Sequence, residues 1–305
     1  MKKYKVSIIT RTKNRTILLR RALESVLGQT FQDWIMVIVN DGGEKEDVNQ
    51  LVAEYHEKFR DRCFIVNNTT SLGMEAASNR GIQASESEYI VIHDDDDAWA
   101  PTFLEKCVQF LDGNHHPNIA GVITYSIRVL ERLEDNRLIT EQTEPFNSWL
   151  KAVSFFRMCS GNIFPPISFV YKRAVLDEIG YYREDMPVLG DWEFNLRFIR
   201  KYDIHLIPEE LSYYHHRLSL KNGNYSNSVV VDDRKHKSYD AFLRNELLRK
   251  DLDTNTIGMG YLLNISKGFE DIHSQIFPIE QFITRLKGIS WLRKLAKNIF
   301  WKSRS

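Results

Sequence analysis

From Lys5 to His93 the chain alternates between two periods. KVSIIT (Lys5–Thr10), WIMVIVNDGG (Trp34–Gly43), CFIVNN (Cys63–Asn68) and YIVIH (Tyr89–His93) are short apolar runs rich in β-branched residues, the pattern of buried strands. Between them, Thr16–Leu27 sets Ile17, Leu18, Ala22, Leu23, Val26 and Leu27 at helical spacing, and Val48–Phe59 and Gly73–Ser85 also read as helices. Strands that alternate with helices imply βαβ units: a Rossmann-like α/β fold whose mainly parallel sheet is flanked by helices. Ligands of such sheets bind beyond the carboxyl ends of the strands. Asn40-Asp41 and the run Asp94–Asp97 both fall at such ends.

The aspartate run is the chemically demanding feature. Tyr89–Ile92 leads almost directly into four consecutive carboxylates, which repel one another. In an extended segment Asp94 and Asp96 share one face, and Asp95 and Asp97 the other. A bound divalent cation removes the conflict and gains hard oxygen ligands. The competing reading is a solvated acidic loop in which Asp97 caps the helix opened by AWAPTFLEK. An acidic loop, however, needs no buried strand in front of it.

Composition narrows the classes. With 305 residues, 43% of them hydrophobic, the chain can bury a sizeable core, as one large domain or two smaller ones. Lys+Arg and Asp+Glu both number 41, so a global basic field for nucleic acid is excluded. The three cysteines, Cys63, Cys107 and Cys159, form no CxxC pair, which fits a reducing compartment. The N-terminal apolar run is too short for a signal peptide, and no apolar stretch reaches the roughly 18 residues of a membrane span. A cytoplasmic protein is expected. GxGxxG, Walker A, HExxH and GxSxG motifs are absent.

After about Tyr125 the alternation fades. Arg128–Thr143 is polar, a hairpin or loop; Phe146–Met158 looks helical; Ile167–Tyr182 reads as a strand and a short helix; Trp192–Tyr202 reads as a helix. NGNYSNS, after Lys221, reads as a flexible connector, and from Val229 onward the chain looks helical. Asp191 precedes a helical run and suits an N-cap. Phe194 and Phe198 read as core.

Taken together, these segments resemble a family 2 glycosyltransferase with the GT-A fold. VSIITRTKNR is similar to that family's first strand and loop, LLRRALESVLGQT to its first helix, VIVNDGG to its second strand and nucleotide-binding turn, and SLGMEAASNRGI to the segment after the third strand. HDDDDAWAP matches the D-x-D-D-x-W-x-P pattern, and ISFVYKRAVLDEIGYY and GDWEFNLR match the acceptor half. The resemblance covers roughly Lys5 to Leu220. It implies that Thr10 and Thr12 line a nucleotide pocket and that Asp41 accepts a hydrogen bond from the base, a uracil N3–H. It further implies that Asp94 and Asp95 sit near ribose and metal and that Asp96 is the main ligand of Mn²⁺ or Mg²⁺, with Asp94 as a second. Asn40 departs from the acid usual before Asp41. Asp191 matches the catalytic aspartate of E-D-W, with Gly190 in place of the preceding acid. SYYHHRLSLKNG is similar to Y-R-x-H-x-x-S, in which His216 and Ser219 keep the spacing, Tyr214 replaces an arginine and Arg217 follows the histidine. His216 is then a candidate to ligate the metal or hold the diphosphate; a structural histidine is the alternative. His215 and the pair His115-His116 read as surface residues.

The implied organisation is a catalytic domain over 1–222, its nucleotide-sugar half ending near 125 and its acceptor half running 126–222, followed by a helical region over 223–305. The end of that region is basic: Phe282–Ser305 carries Arg285, Lys287, Arg293, Lys294, Lys297, Lys302 and Arg304 and no acid. Ser290 is a candidate cap for a helix with Leu292, Leu295, Ala296 and Ile299 on one face. Such a helix suits an anionic membrane surface, making the inner face of the cytoplasmic membrane the expected location. Packing on the protein or on a second copy in a homo-oligomer is the alternative. The expected activity is inverting, metal-dependent transfer from a UDP-sugar to a hydroxyl of a glycan or lipid-linked glycan in bacterial surface polysaccharide (O-antigen or capsule) synthesis. A sugar nucleotidyltransferase and a non-catalytic sugar- or metal-binding module are the other classes considered.

Overall fold

The computed structural model describes residues 3–217 and 233–286. The chain divides into two compact units, 1–243 and 244–305. The sequence-based boundary at 222/223 lies outside the described residues, as do the connector, Ser219 and the basic segment after Leu286.

The first unit follows the alternation read from sequence. Its opening elements are β1 (Tyr4–Thr12), α1 (Thr16–Leu27), β2 (Trp34–Asp41), α2 (Lys45–Ala53), α3 (His56–Phe59), β3 (Cys63–Asn68), α4 (Met74–Gln83) and β4 (Ser87–Ile92). Then come β5 (Ala98–Trp99), α5 (Phe103–Gly113), β6 (Ile119–Glu134), β7 (Arg137–Pro145), α6 (Phe155–Ser160), β8 (Phe169–Lys172), α7 (Leu176–Ile179), α8 (Gly190–Lys201) and β9 (Asp203–His216). One mixed sheet runs β3-β2-β1-β4-β8-β6-β9-β5, with β7 paired to the far half of β6. The strands β3, β2, β1 and β4 are mutually parallel; β8 joins antiparallel to both β4 and β6. Register brings Ile9 beside Ile92 and Thr12 beside Asn40, so the ends of β4, β1 and β2 open on one rim.

Apolar burial holds this frame. On α1, Leu18, Leu19, Ala22, Leu23 and Val26 are buried, and Leu19, Leu23 and Val26 join a core that includes Val6, Ile8, Trp34, Met36, Ile38, Tyr89 and Val91. Each such side chain contributes roughly 1.5–3 kcal/mol. Two helix readings shorten. Val48–Phe59 breaks into α2 and α3, and Phe146–Met158 keeps only α6, whose cap Ser154 accepts the Arg157 N–H. The first residues of that stretch serve tertiary contacts instead: Asn147 Oδ1 accepts the Ser126 N–H at 2.8 Å, and the Leu150 carbonyl accepts the Tyr125 hydroxyl at 2.7 Å. The long strand β9 has no clear period-2 signal, and its pairing with β6 supplies what local sequence does not.

In the second unit, Asp251 accepts the N–H groups of Gly258 and Tyr261 and so fixes the turn between two helices. No helix among the described residues is long and apolar enough to cross a membrane.

Candidate active site

The aspartate run is a turn, not an extended segment: the Asp97 N–H donates to the Asp94 carbonyl at 3.2 Å. Each carboxylate therefore leaves in its own direction and finds its own partner. Asp94 accepts the Arg11 guanidinium, from Nε at 2.9 Å and also from Nη2. Arg15 Nη1 lies 3.4 Å from Asp95 Oδ1 and 3.9 Å from Asp96 Oδ2. Asp96 Oδ2 accepts from the fully buried Arg217, whose Nη1 also donates to Glu131 Oε1 at 2.7 Å. Arg21 reaches Glu131 Oε2 at 2.6 Å and the Asp96 carbonyl, so α1, β6 and the end of β9 converge on Asp96. Asp97 caps no helix; its Oδ1 accepts the His215 N–H at 2.8 Å, and His215 is buried rather than superficial. His115 and His116 are exposed.

These partners set the charges. Burial works against ionised Asp96, but Arg217 and Arg15 outweigh it and hold its carboxyl below the usual range. Asp95 is pushed up to about 6 by burial and by the Asp96 charge, against Arg15. Burial and the charges of Asp96 and Asp94 drive Asp97 well up. His216, lowered to about 4 by burial and by Arg128, stays neutral at pH 7. Its Nε2, Asp95 Oδ2, Thr10 Oγ1 and His93 Nε2 are buried without a hydrogen-bond partner.

Asp41 ends β2 in a cradle of four donors. Asn68 Nδ2 (2.7 Å) and the Leu72 N–H (2.9 Å) reach Oδ1; Ser71 Oγ (2.7 Å) and the Gly73 N–H (3.1 Å) reach Oδ2. Burial opposes the charge, yet these donors lower the Asp41 pKa. The following turn requires glycine at 42: φ is +75°, and a Cβ there would lie 2.4 Å from the Ser71 nitrogen. Asn40 owes its amide to two acceptors, the Asn67 Oδ1 and the Gly43 carbonyl, both at 3.0 Å. A carboxylate at 40 would donate to neither.

Across the rim stands Asp191, in the first turn of α8. Asn162 Nδ2 donates to its Oδ2 at 2.7 Å, the Trp192 N–H donates to its Oδ1 at 2.8 Å, and Asn195 orients Asn162 through a 3.2 Å bond. Burial raises its pKa, opposed by the Trp192 N–H and by Arg11; the charge of Asp94 adds to the rise. Trp192 is core, its Nε1 donating to the Met158 carbonyl at 2.8 Å, and Phe194 and Phe198 are core as expected.

Thr10, Thr12, Asp41, Asp94, Asp95, Asp96, Asp191 and His216 thus lie at the strand ends and the start of α8. Among the described residues no three His, Cys, Asp or Glu side chains converge as a ready cation cage. Sequence reasoning missed Arg11, Arg15, Arg21, Glu131, Glu75 and Asn162. The cationic loop TRTKNR was a signal for the first two, because four acids at a neighbouring strand end need counter-charge.

This mixed sheet flanked by helices has the GT-A α/β fold. The family model for glycosyl transferase family 2 matches residues 7–180, and the chain belongs to that family. A curated relative, the uncharacterized glycosyltransferase YwdF of Bacillus subtilis, is 28% identical over 205 residues, which is 67% of this chain and 71% of that protein. Among solved structures, Staphylococcus aureus TarS 1–349 in complex with UDP is 19% identical with a TM-score of 0.52; the match covers 69% of this chain and 60% of that one. The mannosyltransferase PcManGT from Pyrobaculum calidifontis, in complex with GDP-Man and Mn²⁺, is 17% identical with a TM-score of 0.57, over 88% of this chain and 70% of that one. These two are likenesses of fold.

Proposed function

We propose that this glycosyltransferase moves a sugar from a UDP-sugar to a hydroxyl of a glycan or lipid-linked glycan, with inversion, in bacterial surface polysaccharide (O-antigen or capsule) synthesis. The observation that carries the reading is Asp191: a buried carboxylate held by Asn162 and the Trp192 N–H, close enough to Asp94 for the two charges to interact. Asp191 takes the proton of the acceptor hydroxyl. Attack from its side, opposite the leaving diphosphate, inverts the anomeric centre. Thr10 and Thr12 line the nucleotide pocket and Asp41 accepts the base N–H. The Ser71 hydroxyl, free to rotate, is the donor that gives way there.

Binding of Mn²⁺ or Mg²⁺ is part of the proposal. The donor set fits in part: Asp95 Oδ2 and neutral His216 Nε2 are buried and unsatisfied, while Asp94 and Asp96 are engaged by arginines. Asp96, Asp94 and His216 would hold the ion, with Asp95 beside them and the diphosphate completing the shell. When bound, such an ion neutralises the charge that builds on the departing diphosphate. Arg11, Arg15 and Arg217 keep the carboxylates apart and oriented. UDP in TarS, and GDP-Man with Mn²⁺ in PcManGT, support a nucleotide-sugar donor and a divalent ion.

In this reading, residues 1–222 form the catalytic domain, and 223–305 a helical region whose basic end makes peripheral contact with the inner face of the cytoplasmic membrane. Thermal stabilisation by a panel of UDP- and GDP-sugars, with and without Mn²⁺, tests the donor. Stabilisation by UDP-sugars only when the metal is present is expected; no stabilisation by any sugar nucleotide sinks the proposal.

A further inference from the structure

Glu75, in the first turn of α4, is 4% exposed and yet has no donor on its buried Oε2. Its nearest cation is Arg11, with Nη1 at 3.8 Å from Oε2. That guanidinium is committed elsewhere: Nε and Nη2 serve Asp94, and Nη1 serves the Met74 carbonyl at 3.3 Å and Ser78 Oγ at 3.2 Å. The Glu75 carboxyl lies instead against the backbone of Gly190. A Cβ built on Gly190 would be 2.5 Å from Glu75 Cγ and 2.6 Å from both Cδ and Oε1. Residue 190 lacks a side chain, and a carboxyl from another helix fills its space, one residue from Asp191.

We propose that Glu75 is the second carboxyl of the Asp191 pocket: it substitutes for the side chain that Gly190 lacks, carries the proton in the resting enzyme and leaves the charge on Asp191. Two carboxyls in one buried pocket do not both ionise, and the one with hydrogen-bond donors keeps the charge. Asp191 has two donors, Asn162 and the Trp192 N–H. Glu75 Oε2 has none. The charged and titratable groups facing Glu75 are Arg11 from β1, Asp94 after β4, Asp191 and Glu193 from α8, Tyr171 from β8, and Tyr182. Glu193 is itself neutralised by Arg197 at 2.7 Å. Burial pushes Glu75 up to about 8, Arg11 opposes it, and Asp191, Asp94 and Glu193 add to the rise. Glu75 is thus a positioning residue that acts through Asp191. Ionised, it would set a second negative charge against an incoming diphosphate donor.

The inference rests on Asp191 as the base, but one readout needs no activity. In protein carrying ¹³Cδ-labelled glutamate, the carboxyl resonance absent from Glu75→Gln should titrate near pH 8, and its midpoint should fall in Asp191→Asn. A midpoint in the ordinary carboxylate range overturns the proposal, whatever the enzyme transfers. The glycosyl-transfer reading fails separately, if wild-type protein neither binds nor turns over a sugar nucleotide. In the transfer assay, Glu75→Ala should lower kcat/KM about 10-fold to 100-fold through misplacement of the base. The double variant Glu75→Ala/Gly190→Glu, which returns a carboxyl to the same space from the other helix, should recover most of that loss. The alkaline fall of the wild-type profile should be absent from Glu75→Gln. No recovery in the folded double variant, or an unchanged alkaline fall in Glu75→Gln, overturns the proposal.

Discussion

The rim holds two groups of acids solved in opposite ways. In the turn Asp94–Asp97, arginines from three directions and a backbone N–H meet the carboxylates: Arg11, Arg15 and Arg217, with His215 N on Asp97. At the start of α8, Asp191 has only neutral donors, and Glu75 Oε2 has none. The first group explains how crowded acids fold without any ligand. The chain's own cations offset the repulsion, so the presence of four aspartates is not by itself proof of a metal. At Asp191 burial outweighs the neutral donors and raises the pKa, whereas the guanidinium groups beside Asp96 hold its carboxyl low.

Breaking each group should therefore have a different signature. The largest effect belongs to Asp191→Asn, which should lower kcat about 10²- to 10⁴-fold, the range of a general base, while donor binding persists. Transfer at the wild-type rate would move the base elsewhere.

Arg217→Ala should act on stability. It leaves Asp96 and the 1%-accessible Glu131 side chain short of a buried counter-charge, which costs about 3–5 kcal/mol. Chemical denaturation reads this directly, and an unchanged midpoint would mean that Arg21 and Arg15 suffice. Asn40→Asp is milder. Two acceptors lose their donor at a buried site, costing about 1–3 kcal/mol, with little change in the aspartate turn.

The remaining effect is a slope with pH. The folded pKa of Glu75 lies above its unfolded value of about 4.3, so its contribution is present below that value and lost as pH rises through about 8. Tm should fall across that window more in wild type than in Glu75→Gln, the difference isolating Glu75 from Asp95 and Asp97, which shift in the same sense. Asp41 and Asp96 have the opposite sign. Their pKa values are depressed, so their contribution is present above about 3.9 and lost as pH falls through the lower folded values.

Much of the frame was legible. The strands at Lys5, Trp34, Cys63 and Tyr89 and the helix Thr16–Leu27 follow from apolar period alone, and the parallel pairing follows from their alternation with helices. The run Asp94–Asp97 stood out because four acids follow a buried strand, while Asp41 and Asp191 were marked by the family resemblance. The turn in the aspartate run was not legible, because its geometry depends on Arg217 and His215, more than a hundred residues away. Glu75 carries no local signal, because Arg11 and Gly190 reach it from distant parts of the chain.

Local sequence thus determined the elements, their order and the rim on which polar residues gather, because side-chain period and backbone preference act over a few residues. Only the tertiary structure decided which carboxylate meets a guanidinium, which meets an amide and which meets no donor. Charge state depends on burial and on partners brought together from distant parts of the chain: Arg217 on Asp96, and Glu75 in the space left open by Gly190.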